Sequence, residues 1–218
     1  MLTVTAAATD PLLMTAEQMR VAAGLTAADT TQDVALALLN ARISAEVYDF
    51  AGIAVGDNGK EPTLRQETLT ETFRCPASGP LILSRRHHVE IVSVKVDGET
   101  LAFGDYEIDA EPGLLNRVVG HRISNWSGGQ IEVIYKAGFA TVPPALIGAA
   151  SDLIRFRRSE VERDPLVRSQ RVRVDGVDEV QTDYWVNSVT SGAASSSGAS
   201  IPPNVAAALS RFVNVSIG

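Results

Sequence analysis

The stretch that decides the fold is residues 130–162, which read QIEVIYKAGFATVPPALIGAASDLIRFRRSEVE. Its first part predicts a strand, because apolar side chains recur at every second position from Ile131 to Tyr135. Gly138 supplies backbone angles that end the strand. The pair Pro143-Pro144 then stops further pairing, and proline suits the first turn of a helix. The stretch therefore joins a sheet directly to a helix.

The helix predicted after the prolines is apolar on one side. At 100° per residue its apolar positions fall within an arc of roughly 120°, the width of a stripe that faces a core. These positions are Leu146, Ile147, Ala150, Leu153 and Ile154. Arg157 continues the stripe in place of an apolar residue, so we expect the helix to leave its own core near Phe156 and to present a basic end.

The N-terminal part predicts a short helix with a capping box. Thr15 is the expected N-cap and Gln18 its reciprocal partner, while Met14 and Met19 are spaced as a hydrophobic staple. Gly24 closes this helix.

A long second helix is expected to begin at a cap in residues 29–32 and to run to Gly52. Its apolar residues form two stripes on opposite sides. One consists of Leu36, Leu39, Ile43, Val47 and Phe50, and the other of Val34, Leu38, Ala41, Ala45 and Tyr48. A helix that is apolar on two sides is buried between neighbours, which belong either to its own chain or to another subunit.

The part of the chain between the second and third helices alternates with period two and predicts about six short strands. Asp97-Gly98 between alternating runs is a strong hairpin signal. We therefore expect an α+β fold in which a helical core (residues 1–55 and 143–165) carries an inserted, mostly antiparallel β module (62–136). Residues 166–218 are expected to form an extended segment and a C-terminal docking arm.

Composition limits the classes of function. The chain has 218 residues, 45% of them hydrophobic, so it can bury a substantial core. A net charge of −7 argues against a protein that neutralises nucleic-acid phosphates over its whole surface. The single cysteine, Cys75, excludes an internal disulfide and a cysteine-clustered metal site. No apolar run reaches the ~18 residues of a membrane span, and the first residues lack the basic region of a signal peptide. We expect a soluble protein made in a reducing compartment.

Arginine is concentrated after the third predicted helix begins. Seven of the sixteen arginines lie between Arg155 and Arg173. A contact surface explains this, and so does a solvated helix terminus, where cations are favoured by the dipole. No aromatic residue lies between Phe156 and Tyr184, although nucleic-acid binders usually interleave aromatics with cations. The candidate subunit or partner interface consists of Arg155, Arg157, Arg158, Tyr184 and Trp185.

No pattern typical of catalysis is found in the sequence. His87-His88 precedes a strand, and no carboxylate or cysteine stands at metal-ligand spacing from it. A hydrolase built on either histidine lacks an identifiable nucleophile and base, and neither a G-x-S-x-G elbow nor a P-loop occurs. We predict no catalytic residue, no metal site and no cofactor, and therefore an interaction protein rather than an enzyme.

The order of these parts resembles that of a known family, the head–tail connector or adaptor proteins of long-tailed bacteriophages and of phage-derived gene transfer agents. Four places carry the resemblance and together cover most of the chain. They are the short capped helix and the long one ending VYDFAG (47–52), DYEID (105–109), IEVIYKAGF (131–139) with VPPAL (142–146), and the segment to Tyr184 with IPP (201–203) opening the closing arm.

The resemblance implies a structural ring, twelve-fold in the family, at the head–tail junction of a virion assembled in a bacterial host. Such a ring sits beneath the portal protein, receives a stopper or tail-completion protein on its other face, and lets DNA pass through its lumen without sequence-specific binding. Neither membrane nor cofactor is implied. The portal-docking arm would use Ile201, Pro202, Pro203, Val205, Leu209 and Phe212.

The arm follows a Ser/Gly-rich linker, residues 187–200. Ordering residues 187–213 costs on the order of 1–2 kcal/mol each in backbone entropy. Burying an apolar side chain such as Leu209 returns only about 1.5–3 kcal/mol. One arm should therefore bind weakly, and a ring of arms durably. We expect truncation at Asn187 to leave the fold intact and to abolish portal binding.

A second hypothesis remains open on the residues alone. The β module could bind a carbohydrate or receptor, with Trp126 or Trp185 as the stacking residue, although a tryptophan in a Gly/Ser loop more often covers a sheet edge. The acidic balance of the chain also suits a DNA channel, since a lumen that is net negative or neutral does not hold phosphates.

Overall fold

The computed structural model confirms a mixed α+β fold. It describes residues 1–74, 79–127, 129–162, 169–172, 180–183 and 201–214. Within these ranges the helices are α1 (Ala16–Ala22), α2 (Asp33–Phe50), α3 (Pro144–Glu162) and α4 (Pro203–Leu209). Short 3₁₀ turns cover Phe103–Asp105 and Ser210–Phe212.

Three antiparallel sheets are formed by the described strands. The large sheet has the order β1-β2-β9-β4-β5 and the small sheet β3-β7-β6, with β8 paired to β7, while β10 and β11 pair only with each other. The strands are β1 (Leu2–Ala6), β2 (Glu67–Arg74), β3 (Leu81–Ile82), β4 (Glu90–Val96), β5 (Glu99–Thr100), β6 (Tyr106–Asp109), β7 (Leu114–Val119), β8 (Arg122–Ser124), β9 (Gln130–Ala137), β10 (Ser169–Val172) and β11 (Val180–Asp183).

The capping box of α1 is present as predicted. The amide of Gln18 donates to the Thr15 hydroxyl at 3.3 Å, and the Gln18 side chain accepts from the Thr15 amide at 2.9 Å. Met14 and Met19 are both buried. The N-cap of α2, Gln32, lies within the predicted range 29–32 but makes no side-chain hydrogen bond.

The central strand of the large sheet is β9, which pairs with β2 along eight residues and with β4 on its other edge. Its apolar side, from Ile131 through Val133 and Tyr135 to Ala137, is buried, as the alternation predicts. Gly138 follows with φ +102°, and a Cβ at this position would clash with the backbone of Arg65. Only glycine therefore fits where the sheet turns towards α3.

The buried residues form two separate cores. The helical core joins α1, α2 and α3 to the closing segment, which we define as residues 201–214. The sheet core lies around β9 and includes Leu2 and Val4 of β1, residues that the sequence analysis assigned to the helical core. That assignment is wrong for β1, because its short apolar alternation pairs with the free edge of β2.

The two stripes of α2 have different environments. Leu36, Ile43 and Val47 of the first stripe are buried in the helical core. Most of the second stripe is exposed, and only its last member, Tyr48, is buried. The described part of this chain therefore covers one apolar side of α2 and leaves most of the other open.

Candidate interaction surfaces

The closing segment packs on its own chain. Ile201, Val205, Leu209 and Phe212 are buried in the helical core, and α4 lies against α3. The expectation of an arm that buries these side chains only on another protein is wrong, because a short helix apolar on one side lies against the apolar surface nearest to it. Pro202 is buried and Pro203 exposed at the start of α4. Docking of this segment on a portal is not tested by this packing and stays a prediction.

Hydrogen bonds tie the closing segment to both cores. The Asn214 amide donates to the Ala51 carbonyl at 2.7 Å, at the end of α2. The Asn214 side-chain amide donates to the Ser84 carbonyl at 2.7 Å, and His87 Nε2 lies 2.9 Å from the Phe212 carbonyl oxygen. The segment therefore bridges the helical core and the loop that follows β3.

Burial disfavours the charged form of His87 at this bridge. Burial lowers the pKa of its imidazole, opposed by the hydrogen bond to Phe212 and assisted by nearby His88. A carbonyl oxygen only accepts, so the bond requires the tautomer that carries its proton on Nε2. The histidine acts here as a donor that fastens the chain end.

A cleft of about 610 Å³ opens beside this bridge. The Phe139 ring packs edge-on against His88 at 4.9 Å and against Phe212 at 6.0 Å. Arg86, Glu111 and Arg211 also line the cleft. Among the described residues that line it there is no serine, threonine or cysteine that could be paired with a histidine as nucleophile. The lining of the cleft therefore combines aromatic rings with two arginines and one glutamate.

A buried polar network fixes the loop after β3 to the large sheet. Arg85 donates to the Glu67 carboxylate, and both side chains are buried. Arg85 Nε also donates to the Ala54 carbonyl at 3.0 Å. Next to this pair, Glu71 accepts from Ser84 and, at 2.9 Å, from the Tyr135 hydroxyl, whose pKa is raised by burial and by the nearby carboxylate. The two carboxylates and the guanidinium of this network are hydrogen-bonded, while Arg85 Nη2 is buried without a hydrogen-bond partner among the described residues.

The predicted basic interface lies only partly on the surface. Arg155 is exposed, and its Nη1 lies 3.4 Å from Asp152 Oδ1. Arg157 is mostly buried, and its Nη2 contacts Glu46 of α2 at 2.9 Å. It therefore joins α3 to α2, so the expectation that the helix leaves its core at this point is wrong. Arg158 is half-buried. Tyr184 and Trp185 lie outside the described residues.

Trp126 is buried against the small sheet. Its indole Nε1 donates to the Leu115 carbonyl at 3.0 Å. The side chain is buried in the sheet core and offers no free face for stacking on a sugar, and Trp185 lies outside the described residues. Within the described ranges no group of three or more His, Cys, Asp or Glu residues is arranged to hold a metal ion.

The bridge formed by Ser84, His87 and Asn214 could not be found by pattern reading. Its partners are more than a hundred positions apart, and no local spacing marks them. The sequence analysis also missed Phe103 as part of a possible contact surface. This apolar residue lies exposed in the turn before β6, and its position in a turn was a usable signal.

Comparisons with known proteins give one informative likeness. No protein-family model matches the chain, and no curated protein matches it. A solved structure, the neck of an empty GTA particle computed with C6 symmetry, contains a chain of similar fold. The likeness has a TM-score of 0.52 at 16% identity and covers 100% of this chain and 97% of that one. None of the described helices is long and apolar enough to cross a membrane.

Proposed function

We propose that this protein is a structural component of the head–tail junction of a tailed phage or phage-like particle. The carrying observation is the fold shared with a chain of a GTA neck over almost the full length of both chains. A fold likeness over almost the full length of both chains makes this chain a candidate for the same place in a particle, although fold alone does not determine function. The order of helices and strands in the sequence supports the same assignment independently.

In this proposal the chain forms a ring that bridges the portal protein to a stopper or tail-completion protein, and the ring has no catalytic role. Closed rings arise when each subunit uses two different surfaces on its two neighbours. A copy number of twelve follows the family resemblance and is compatible with the sixfold symmetry of the similar neck.

The closing segment is the proposed contact with the portal. Its apolar side is occupied by its own chain, so the docking face is the outer side of α4 and the turn after it. The exposed residues there are Pro203, Asn204, Ala207, Ala208 and Arg211. The opposite side of α4 packs on the helical core through Val205 and Leu209, and this packing holds the docking face in place. A ring presents many such faces, and many weak contacts together give durable attachment.

In the proposed ring, the lumen is a channel through which DNA passes. A net charge of −7 favours a lumen that is neutral or negative and lets DNA slide without holding it. A lumen lined mainly by arginine in an assembled ring would refute this part.

Co-assembly with the portal tests the proposal directly. The full chain is mixed with portal rings encoded by the same genome, and the products are weighed by native mass spectrometry. We expect complexes with a ring of this chain on each portal. The double variant Asn204→Glu/Arg211→Glu should weaken binding by about tenfold or more without unfolding the chain, since both side chains are exposed. A chain that never associates with portal rings is not a portal adaptor.

A further inference from the structure

The exposed stripe of α2 lacks the polar residues that a solvated helix surface carries. Between Asp33 and Arg42 the helix has no charged residue. Val34 and Leu38 are 81% and 71% exposed, and Ala41 and Ala45, which continue the same side of the helix, are exposed as well. Large apolar side chains grouped on one side of a helix usually mark a contact with another molecule.

This stripe leads into a groove. The cavity measures about 370 Å³ and lies between the second half of α2, the Pro11-Leu12 segment and the loop from Ile53 to Pro62. Asp49 and Glu61 are the charged residues among those described along its lining, and both are exposed. Neither carboxylate forms an ion pair within the described part of the chain. The α2 groove, meaning the stripe and this cavity together, is apolar with an unneutralised acidic end.

A second unpartnered patch lies at one end of the small sheet. Phe103 is 86% exposed and Ile123 is 68% exposed. The topology brings them to the same end, because Arg117 of β7 pairs with Tyr106 on one side and with Ser124 on the other. Arg122, beside Ile123, is exposed and forms no ion pair within the described ranges. We call this apolar surface, with its free cation, the hairpin end.

From these observations we infer that the hairpin end of one copy of this chain docks in the α2 groove of a second copy. The two surfaces match in polarity and have opposite free charges, Arg122 against Asp49 and Glu61. They lie on different modules of the same chain, so the contact is head-to-tail, and repetition of such a contact closes a ring when the rotation allows it. The inference rests on the proposed ring and identifies the subunit contact within it.

Cross-linking tests this contact. In a Cys75→Ser background, one chain carries Leu38→Cys and a second, size-tagged chain carries Ile123→Cys. The mixture is treated with a short bismaleimide, both free in solution at high concentration and on portal rings. The control pair combines Leu38→Cys with Val92→Cys, an exposed position on β4.

We expect the groove and hairpin-end pair to give about tenfold more heterodimer than the control pair in at least one of the two settings. Equal yields in both settings would overturn the inference. So would a predominance of Leu38→Cys homodimers, which indicates a twofold α2 contact instead. If portal rings bind the chain but the yields are equal, the surfaces are wrong and the proposed function stands. If the cross-links are specific but the chain does not bind portal rings, the subunit contact is supported and the proposed function at the head–tail junction is contradicted.

A charge exchange provides an independent check of the same contact. Arg122→Glu should weaken self-association by about tenfold, measured by sedimentation, or by ring completion on portals if the free chain is monomeric. Mixing that chain with an Asp49→Lys/Glu61→Lys chain should restore it. Failure of the exchange to restore association, with both chains folded by circular dichroism, would contradict the pairing of these charges.

Discussion

The helical core and the sheet core are closed in different ways. The sheet core is built from strands that follow one another between residues 67 and 137, with β1 added at the edge. The helical core is completed by the closing segment, which is separated from the end of α3 by the 38 residues 163–200. The strands β2 and β9 also meet across a long stretch of chain, residues 75–129, but they lie inside the sheet, whereas a core closed by a single separate segment can be opened locally at that segment.

The largest effect is expected at the buried ion pair of the sheet module. Arg85→Met leaves the Glu67 carboxylate buried without its partner and should lower the free energy of unfolding by about 3–5 kcal/mol in urea titrations. Arg85→Met/Glu67→Leu should recover much of the loss. The exposed pair of Lys136 and Glu90 provides the control, since Lys136→Met should cost about 1 kcal/mol or less. Similar losses for both single variants would show that the network does not stabilise the module.

The second-largest loss of stability is expected for substitutions in the closing segment. Leu209→Ala removes a fully buried side chain from the helical core and should cost about 2–5 kcal/mol. Leu38→Ala on the open side of α2 should change the stability of the dilute protomer by only about 0.5 kcal/mol. Truncation at Asn187, which the sequence predicted to leave the fold intact, should instead destabilise it, because it removes four buried side chains of this core. A Leu209→Ala variant as stable as the parent would show that the segment is not part of the core.

Two glycines test the junction between the modules. Gly138→Ala should destabilise the chain by more than about 1 kcal/mol, because the left-handed backbone and the Arg65 backbone exclude a Cβ. Gly148→Ala on the exposed side of α3 should stabilise it by about 0.5–1 kcal/mol, since no atom lies near the added methyl. Thermal melts that shift in the same direction for both variants would contradict this account of the junction.

The smallest effect is the pH dependence of the bridge. The pKa of His87 is lower in the folded chain than in the unfolded chain, so the unfolded state binds more protons below its pKa near 6.5. The stabilisation is complete above that pH and is lost as the pH falls through the unfolded pKa towards the folded one. His87→Gln should flatten the stability profile between pH 7 and pH 5, whereas His121→Gln, an exposed control, should leave it unchanged. Equal slopes for parent and His87→Gln would remove His87 as the titrating group.

Local patterns predicted the parts of the fold that depend on local physics. The alternation of β9, the capping box at Thr15 and the Asp97-Gly98 hairpin are all present, because each is decided within a few residues. Within the part of the chain expected to be extended after α3, β10 and β11 form an antiparallel pair.

Sequence reading failed where distant groups decide the outcome. The sequence shows which positions of α4 are apolar. Whether these side chains pack on this chain or on another depends on a surface that is distant in the sequence. Arg157 looked like a basic surface residue, yet Glu46 lies within its reach only in the folded chain. The same limit applied to the two stripes of α2, where only the structure showed which one the chain covers.

The most direct test of the neck assignment is a cryo-electron microscopy reconstruction of the portal region of particles from cells whose genome encodes this chain. We expect the chain as one symmetric layer beneath the portal, with the outer side of α4 facing the portal. The absence of this chain from the neck, or its presence elsewhere as a single copy, would contradict the account.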